Sequence, residues 1–267
     1  MDILIVILLA LIQALTEFLP ISSSAHLALA GFFFGWDYQG LVMDLAVHLG
    51  TLVAVVLYFR EDLLRIMREL LMVRPGRALN VEQRLGLGIG LATVPAALVG
   101  VSMSDALVES LRHPLLIAAT TAGFALLLWW ADARRRGEND EYSVGIRGAL
   151  FVGAMQALAL VPGVSRSGIT MTAALMMGLS RVAAARYSFL MSIPITVLAT
   201  AHGVKEVITG ESLLIAETFL AAAVLSAVFA FIVIHWFLRF VQSIGAMPFV
   251  IYRLIFAAVV LVLWFGR

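Results

Sequence analysis

The sequence predicts an all-α polytopic membrane protein, with six transmembrane helices and two re-entrant helical hairpins arranged as an inverted-topology repeat. Of its 267 residues, 62% are hydrophobic and only 13% are charged, and the mean hydropathy is +1.03. A soluble domain of this length cannot bury so much apolar surface, so lipid must be the solvent. A motif of proline and serines also occurs twice, each time interrupting an apolar run. Because the chain has no cysteine, disulfides, thiolate catalysis and cysteine-bound metals are excluded.

Residues 1–34 are predicted to form a hairpin that enters the membrane and returns to the outer side. Segment 13–15 (Gln-Ala-Leu) leads into segment 20–25 (Pro-Ile-Ser-Ser-Ser-Ala), and Pro20 breaks the helical pattern. Residues 21–34 rise about 1.5 Å each, so they are too few to cross a hydrocarbon core of about 30 Å.

Six apolar runs are long enough to span the membrane. The loops that separate them differ in charge: residues 60–84 hold six arginines and residues 132–147 hold four, which predicts that both loops are cytoplasmic. Residues 105–113, residues 204–212 and Arg267 then fall on the outer side. The aromatic residues predicted at span ends are Trp36, Tyr38, Trp129, Trp130 and Trp264. The predicted spans are 43–59, 86–104, 114–131, 187–203, 213–237 and 248–265.

Residues 146–180 are predicted to form the second hairpin, which enters from the cytoplasmic side. Segment 156–158 (Gln-Ala-Leu) leads into segment 164–168 (Val-Ser-Arg-Ser-Gly) at the offset that relates the two motifs, with Pro162 displaced by one place. Two such hairpins in opposite orientations would meet near the midplane, where transporters of this architecture place their sites. Duplication kept for packing alone is the alternative. The chain is then one membrane domain, 1–267, with repeat one at 1–131, a cytoplasmic loop at 132–147 and repeat two at 146–267.

Four polar residues of the first hairpin are spaced to face one another. Gln13 and Glu17 are four apart and share a helix face, while Ser23 and His26 are three apart on the short helix after Pro20. The hairpin would fold these faces together, so a carboxylate, a hydroxyl and an imidazole could converge, as hydrolytic chemistry requires. The alternative is that Glu17 pairs with an arginine for assembly and the serines cap a helix.

The second motif, residues 162–170, is typical of an anion site. A helix start with glycines, hydroxyls and free backbone N–H groups binds phosphate, and the planar guanidinium of Arg166 suits phosphate oxygens. Ser165, Ser167 and Thr170 supply the hydroxyls. The alternative is a simple helix cap with an arginine that reaches toward the interface.

Both motifs resemble the two signatures of the undecaprenyl-diphosphate phosphatase family, which is also known for bacitracin resistance. They read Glu17-Phe-Leu-Pro-Ile-Ser-Ser-Ser-Ala-His26 and Pro162-Gly-Val-Ser-Arg-Ser-Gly-Ile-Thr170. The likeness extends to shorter segments at 176–178 (Met-Met-Gly), 180–181 (Ser-Arg), 187–190 (Tyr-Ser-Phe-Leu), 248–249 (Pro-Phe) and 251–253 (Ile-Tyr-Arg).

This resemblance implies a hydrolase that converts undecaprenyl diphosphate to undecaprenyl phosphate and inorganic phosphate, which recycles the lipid carrier of cell-wall synthesis. It places the enzyme in the bacterial plasma (inner) membrane, with an active site open to the periplasmic side. The implied partners are the C55 prenyl diphosphate and membrane lipids, with no nucleic acid; the oligomeric state is left open. The family's functional positions correspond here to Gln13, Glu17, Ser23, His26, Ser165, Arg166, Ser167 and Thr170.

The resemblance also implies a divalent cation, Mg²⁺ or Ca²⁺. Many members of the family have glutamate where this chain has Gln13, so one carboxylate remains instead of two. We expect Glu17, water molecules and the substrate diphosphate to hold the ion together, which is ordinary for Mg²⁺.

We hypothesise a phosphoryl transfer in which Arg166 and the amides of the second motif hold the transferring phosphate. Ser23 attacks it, Glu17 or His26 takes the hydroxyl proton, and His26 later protonates the leaving phosphate. In a rival scheme His26 is the nucleophile and Ser23 positions it, and the sequence does not separate the two.

Two other classes of function compete with hydrolysis. A secondary transporter or a flippase, for a phosphorylated lipid or another anion, would need a similar polar pocket between broken helices. A membrane scaffold would need the helices alone. A carrier requires no nucleophile, so the hydroxyl of Ser23 separates it from a hydrolase.

Overall fold

The computed structural model describes residues 3–34, 40–135, 137–209 and 216–266, and within these ranges the chain is helical with no β-strand. Trp36, Tyr38, Arg136 and Arg267, which entered the sequence predictions, lie outside the described residues. The helices are α1 (Ile3–Phe18), α2 (Ser23–Phe34), α3 (Leu41–Tyr58), α4 (Arg60–Leu71), α5 (Val81–Ser102), α6 (Asp105–Ser110), α7 (Pro114–Arg134), α8 (Gly145–Ala157), α9 (Arg166–Met176), α10 (Arg181–Thr209), α11 (Ala216–Ile244) and α12 (Met247–Phe265), with short 3-10 turns at Glu141–Ser143 and Leu158–Leu160.

Five of the described helices are long and apolar enough to cross a membrane, and α3 with α4 makes a sixth if that bent pair is counted as one span. The prediction of an all-α polytopic membrane protein is therefore confirmed. The five are α5, α7, α10, α11 and α12.

Two predicted loops contain helix instead. The chain bends by 75° after α3 and continues as α4, in a segment predicted only as a basic loop. Arginine is a good helix former, and the apolar residues of this segment recur at helical spacing, so they form one face of a helix. That face packs on the protein and buries Ile66. At the other end of the bundle α10 extends to Thr209, so residues 204–209 belong to the helix.

Both predicted hairpins consist of two short helices joined by a turn. The helices are α1 and α2 in the first hairpin, and α8 and α9 in the second. Ser22 and Ser165 occupy equivalent places before α2 and α9, and in the described ranges they are the two non-glycine residues with positive φ, 79° and 72°. Each hydroxyl accepts a backbone N–H three residues on, from Ala25 at 3.4 Å and from Gly168 at 3.1 Å. The repeat therefore extends from sequence to backbone conformation.

Each hairpin packs mainly on the other half of the chain. Helix α1 lies against α11, and α8 lies against α5. Helices α5 and α11 hold corresponding places in the two halves. The first helix of each hairpin therefore packs on the same helix of the opposite half, as a two-fold relation between the halves requires. This exchange supports the inverted-topology repeat, whose division at 131 and 146 stays a prediction.

An ion-pair network joins the two arginine-rich segments at one end of the bundle. Arg186 of α10 donates to Glu141 at 2.5 Å and to Asp62 of α4 at 2.9 Å. Arg181 binds both oxygens of Asp132 at 2.6 and 2.8 Å. The segments 60–84 and 132–147 therefore share an end, as predicted, and their cytoplasmic location stays a prediction.

The close contact between α5 and α8 depends on Gly153. A Cβ atom there would overlap the carbonyl oxygen of Ala92, whereas a Cβ at Gly90 of α5 would meet open space. We expect Gly153→Ala to lower the thermal unfolding midpoint of the detergent-solubilised protein by several degrees, since overpacking costs about 1–3 kcal/mol. Gly90→Ala is the matched control, and should keep or raise the midpoint. Equal midpoints for the two variants would contradict this packing.

Candidate active site

A single carboxylate, Glu17, joins the two hairpins. Its Oε2 accepts hydrogen bonds from Ser23 Oγ at 2.8 Å and from Gln13 Nε2 at 3.2 Å. Its Oε1 accepts from Arg166 Nη2 at 2.5 Å. Helix α1 ends just after Glu17, and the turn at Pro20 brings the first residue of α2 back to it. Gln13, Glu17, Ser23 and Arg166 therefore come together as a connected group.

Arg166 is the first residue of α9, where the backbone N–H groups have no carbonyl of their own helix to bind. Its side chain is only 14% exposed, and Nη1 donates to the carbonyl oxygen of Ser188 at 3.2 Å. A guanidinium and the amino end of a helix thus lie at one place, an arrangement that favours an anion.

The three hydroxyls of the second motif are bonded inside the protein. Ser165 Oγ caps α9, Ser167 Oγ donates to the carbonyl oxygen of Leu19 at 2.9 Å, and Thr170 Oγ1 lies 2.7 Å from Ser188 Oγ. All three side chains of the motif are buried. These contacts tie the hairpins to each other and to α10; the predicted role of the three hydroxyls in phosphate binding stays a prediction.

His26 faces α12 rather than Glu17. Its Nδ1 lies 2.7 Å from the carbonyl oxygen of Ser22, and since a carbonyl only accepts, we assign the proton to Nδ1. In the neutral ring Nε2 then accepts from the Tyr252 hydroxyl at 2.6 Å. The imidazole also stacks on Tyr252 and lies 4.5 Å from the ring centre of Phe256. The convergence expected from spacing therefore holds for Ser23 with Glu17, while His26 belongs to a neighbouring aromatic group.

Sequence reasoning gave no role to Arg253 of α12, although the family resemblance includes segment 251–253. It is fully buried, and its guanidinium donates to the carbonyl oxygens of Gly163 at 2.8 Å, Val164 at 3.0 Å and Pro20 at 3.4 Å. It therefore satisfies backbone groups of both hairpin turns at once. An arginine within a long apolar run was the available signal, because such residues are costly in a membrane unless they serve a purpose.

The residues around Glu17 fit a divalent cation only as part of a shared site. In the described ranges no three His, Cys, Asp or Glu side chains are placed to hold a metal. However, Gln13 Oε1 is buried without a hydrogen-bond partner beside the Glu17 carboxylate. Two protein oxygens suit Mg²⁺, which usually keeps several waters and takes its other ligands from substrate phosphates. The ion itself stays a prediction.

Comparison with known proteins gives one family and relatives with closely similar names. The family described as "Bacitracin resistance protein BacA" matches residues 6–259. The chain is similar to "Undecaprenyl-diphosphatase 2" of Stutzerimonas stutzeri, with 48% identity over 269 residues that cover all of both chains. It is also similar to "Undecaprenyl-diphosphatase" of Nitrosococcus oceani, with 44% identity over 264 residues, which cover 99% of this chain and all of that one.

Replacing Arg253 tests whether it holds the two turns. Arg253→Met keeps the length of the side chain but leaves buried carbonyl oxygens without donors, at about 1–3 kcal/mol for each unsatisfied group. We expect a clear drop in the thermal unfolding midpoint and faster proteolysis at the turns. Arg147→Met, which changes an exposed arginine of α8, is the control and should be neutral. An unchanged midpoint in Arg253→Met would show that the turns hold without this side chain.

Proposed function

Because this chain belongs to the bacitracin resistance protein BacA family, we propose that it is a membrane phosphatase that hydrolyses undecaprenyl diphosphate to undecaprenyl phosphate and inorganic phosphate. The named relatives match it over their full length. We place it in the bacterial plasma (inner) membrane with the site open to the periplasm, a proposal supported by the arginine bias of the loops.

The observation that carries the proposal is the pair of contacts made by Glu17. One carboxylate oxygen accepts from a hydroxyl of the first hairpin and the other from a guanidinium of the second, at 2.8 and 2.5 Å. A nucleophile bonded to its base, next to a cation that can hold a phosphate, is the arrangement that phosphoryl transfer needs. A carrier would have no use for the bond between Ser23 and Glu17.

We assign nucleophilic attack to Ser23. Its Oγ attacks the terminal phosphorus, the proton passes to Glu17, and the bond between that phosphorus and the bridging oxygen breaks. Undecaprenyl phosphate leaves, and a phosphoserine remains. Arg166 and the first amides of α9 hold the equatorial oxygens, so that the negative charge is met by fixed donors throughout.

Water completes the reaction. After the Glu17 proton is released, its carboxylate takes a proton from a water molecule that attacks the phosphoserine. The bond between phosphorus and Ser23 Oγ breaks, Glu17 returns the proton taken from water to the serine oxygen, and inorganic phosphate departs. His26 keeps its predicted role of protonating the leaving lipid phosphate, for which a protonated Nε2 exchanges its contact with the Tyr252 hydroxyl for one with the phosphate oxygen.

The remaining residues support this chemistry. A divalent cation held by Glu17, by Gln13 Oε1 and by the diphosphate would neutralise phosphate charge when bound. Ser165, Ser167 and Thr170 shape the start of α9 and thereby position Arg166, and their own predicted contact with the phosphate stays a prediction. We place the prenyl tail of the substrate outside the cluster of Glu17, Ser23 and Arg166, against apolar helix surfaces such as the exposed face of α12.

Two neighbouring serines give a matched test of the nucleophile. Ser23→Ala removes the hydroxyl bonded to Glu17, and we expect phosphate release from C55 diphosphate to fall at least about a thousandfold. Ser24→Ala, whose hydroxyl lies 3.2 Å from Ser22 Oγ, should retain most of the activity. The assay uses purified protein with and without Mg²⁺ or Ca²⁺. Full release by Ser23→Ala would refute the assignment, and no release by folded parent protein under any metal condition would favour a carrier.

Chemical quenching distinguishes serine from histidine as the nucleophile. With substrate labelled in the terminal phosphate, we expect rapid acid quenching of the parent protein to trap label that resists acid and is lost in base, as for a phosphoserine. The label should be absent in Ser23→Ala and present in Ser24→Ala. Acid-labile label that disappears in a His26→Gln variant would instead establish a phosphohistidine.

A further inference from the structure

We propose that the surface formed by α4 and the turn that follows it binds the phosphate headgroups of anionic phospholipids. This surface, residues 60–80, is called the α4 platform below. It lies at the arginine-rich end of the bundle, and the phosphatase chemistry makes no use of it. The proposal therefore stands apart from the proposed function.

Helix α4 has one buried face and a separate exposed apolar edge. The buried face packs on α5, where Ile66 and Leu70 lie over Gly86. On the neighbouring edge Leu64, Met67 and Leu71 recur at helical spacing and are 66%, 60% and 87% exposed. Because the chain turns by 75° after α3, α4 runs across the direction of the spans. A helix with these properties lies in the membrane interface, with its apolar edge toward the acyl chains.

Acidic side chains of the α4 platform already have partners. Asp62 is paired with Arg186 at 2.9 Å, Glu61 lies 3.6 Å from Arg60, and Glu69 accepts from Asn80 Nδ2 at 2.7 Å. Three arginines further along the platform have no acidic partner among the described residues. Arg68, Arg74 and Arg77 are exposed and form no ion pair in the part of the chain that the structure describes. Residues 60–80 hold five arginines against three acidic residues, so the platform carries a net positive charge that is available to an external anion.

Arg74 and Arg77 line a groove of about 480 Å³ between the end of α4 and the start of α5. Hydrogen bonds between α4 and α5 hold the two walls of this groove together. Asn80 and Gln83 form a reciprocal capping box at the start of α5, and Gln83 Nε2 donates to the carbonyl oxygen of Glu69 at 2.9 Å. Glu69 also lines the groove, with its carboxylate bonded to Asn80. A volume of this size falls in the range of small-ligand sites, about 300–1,000 Å³.

The apolar edge selects a lipid over a soluble phosphate. Leu71 and Met72 line the same groove as the two arginines and are themselves exposed. A phospholipid can place its phosphate on the guanidinium groups while its acyl chains cover these side chains, whereas inorganic phosphate satisfies only the charge. Arginines near an anionic membrane surface each strengthen binding several-fold.

Native mass spectrometry of the full chain in detergent tests the proposal. Phosphatidylglycerol and phosphatidylcholine with identical acyl chains are titrated, and inorganic phosphate is titrated in parallel by calorimetry. We expect tight phosphatidylglycerol adducts, weaker phosphatidylcholine adducts, and phosphatidylglycerol affinity about tenfold lower in the double variant Arg74→Gln/Arg77→Gln. The matched control, Arg84→Gln/Arg147→Gln, removes two exposed arginines at the same end outside the groove and should bind like the parent.

A second variant separates lipid from free anion. Leu71→Ser should weaken phosphatidylglycerol binding while leaving any phosphate binding unchanged, and thermal unfolding confirms that each variant is folded. Equal phosphatidylglycerol affinity in the parent and in Arg74→Gln/Arg77→Gln would overturn the site. Inorganic phosphate that binds as tightly as phosphatidylglycerol, and is lost in the same variant, would overturn the assignment to lipid.

Discussion

Two interrupted helices can persist inside this bundle only because buried side chains satisfy the backbone groups that the interruptions release. Arg253 supplies three of these hydrogen bonds, and Thr120 of α7 adds a fourth, to the carbonyl oxygen of Pro162 at 2.7 Å. Ser167 ties the second turn to the end of α1. Since these contacts fix the two turns against each other, they also fix the distance between Glu17 and Arg166, and the site depends on them.

The two copies of the repeat carry different polar residues at corresponding positions. Ser23 and Arg166 hold equivalent places, each directly after a capping serine with positive φ. In the proposed mechanism one fold position therefore supplies the nucleophile in one half and the cation in the other. Glu17 corresponds to Leu160, and the carboxylate therefore exists once. A half of the chain alone contains either the proposed nucleophile and its base or the proposed phosphate-binding cation. The duplication provides two similar turns, and the proposed function requires that they differ.

Sequence reasoning reached the spans, both hairpins and the polar residues within the motifs, because hydropathy and local spacing report on local structure. It did not predict α4, since six arginines in one segment indicate a cytoplasmic loop, and apolar residues at helical spacing are a weak signal within so charged a segment. It missed the contact of His26 with Tyr252 and the ties made by Arg253, which join residues far apart in the chain. Spacing within one motif carries no information on such contacts. Nor could it show that the hydroxyl of Thr170 turns toward Ser188.

The ion pair between Glu17 and Arg166 also suggests how substrate binding prepares the catalyst. Each oxygen of the carboxylate accepts a hydrogen bond, one from the guanidinium and one from the serine hydroxyl. A buried charge is stable only while it has a partner, and loss of one partner costs about 3–5 kcal/mol. A diphosphate that draws Arg166 to its own oxygens supplies the new partner for the cation. In the proposed mechanism this exchange leaves Glu17 bonded to Ser23 and Gln13, so the carboxylate becomes a stronger base for the serine hydroxyl when the phosphate to be attacked has arrived.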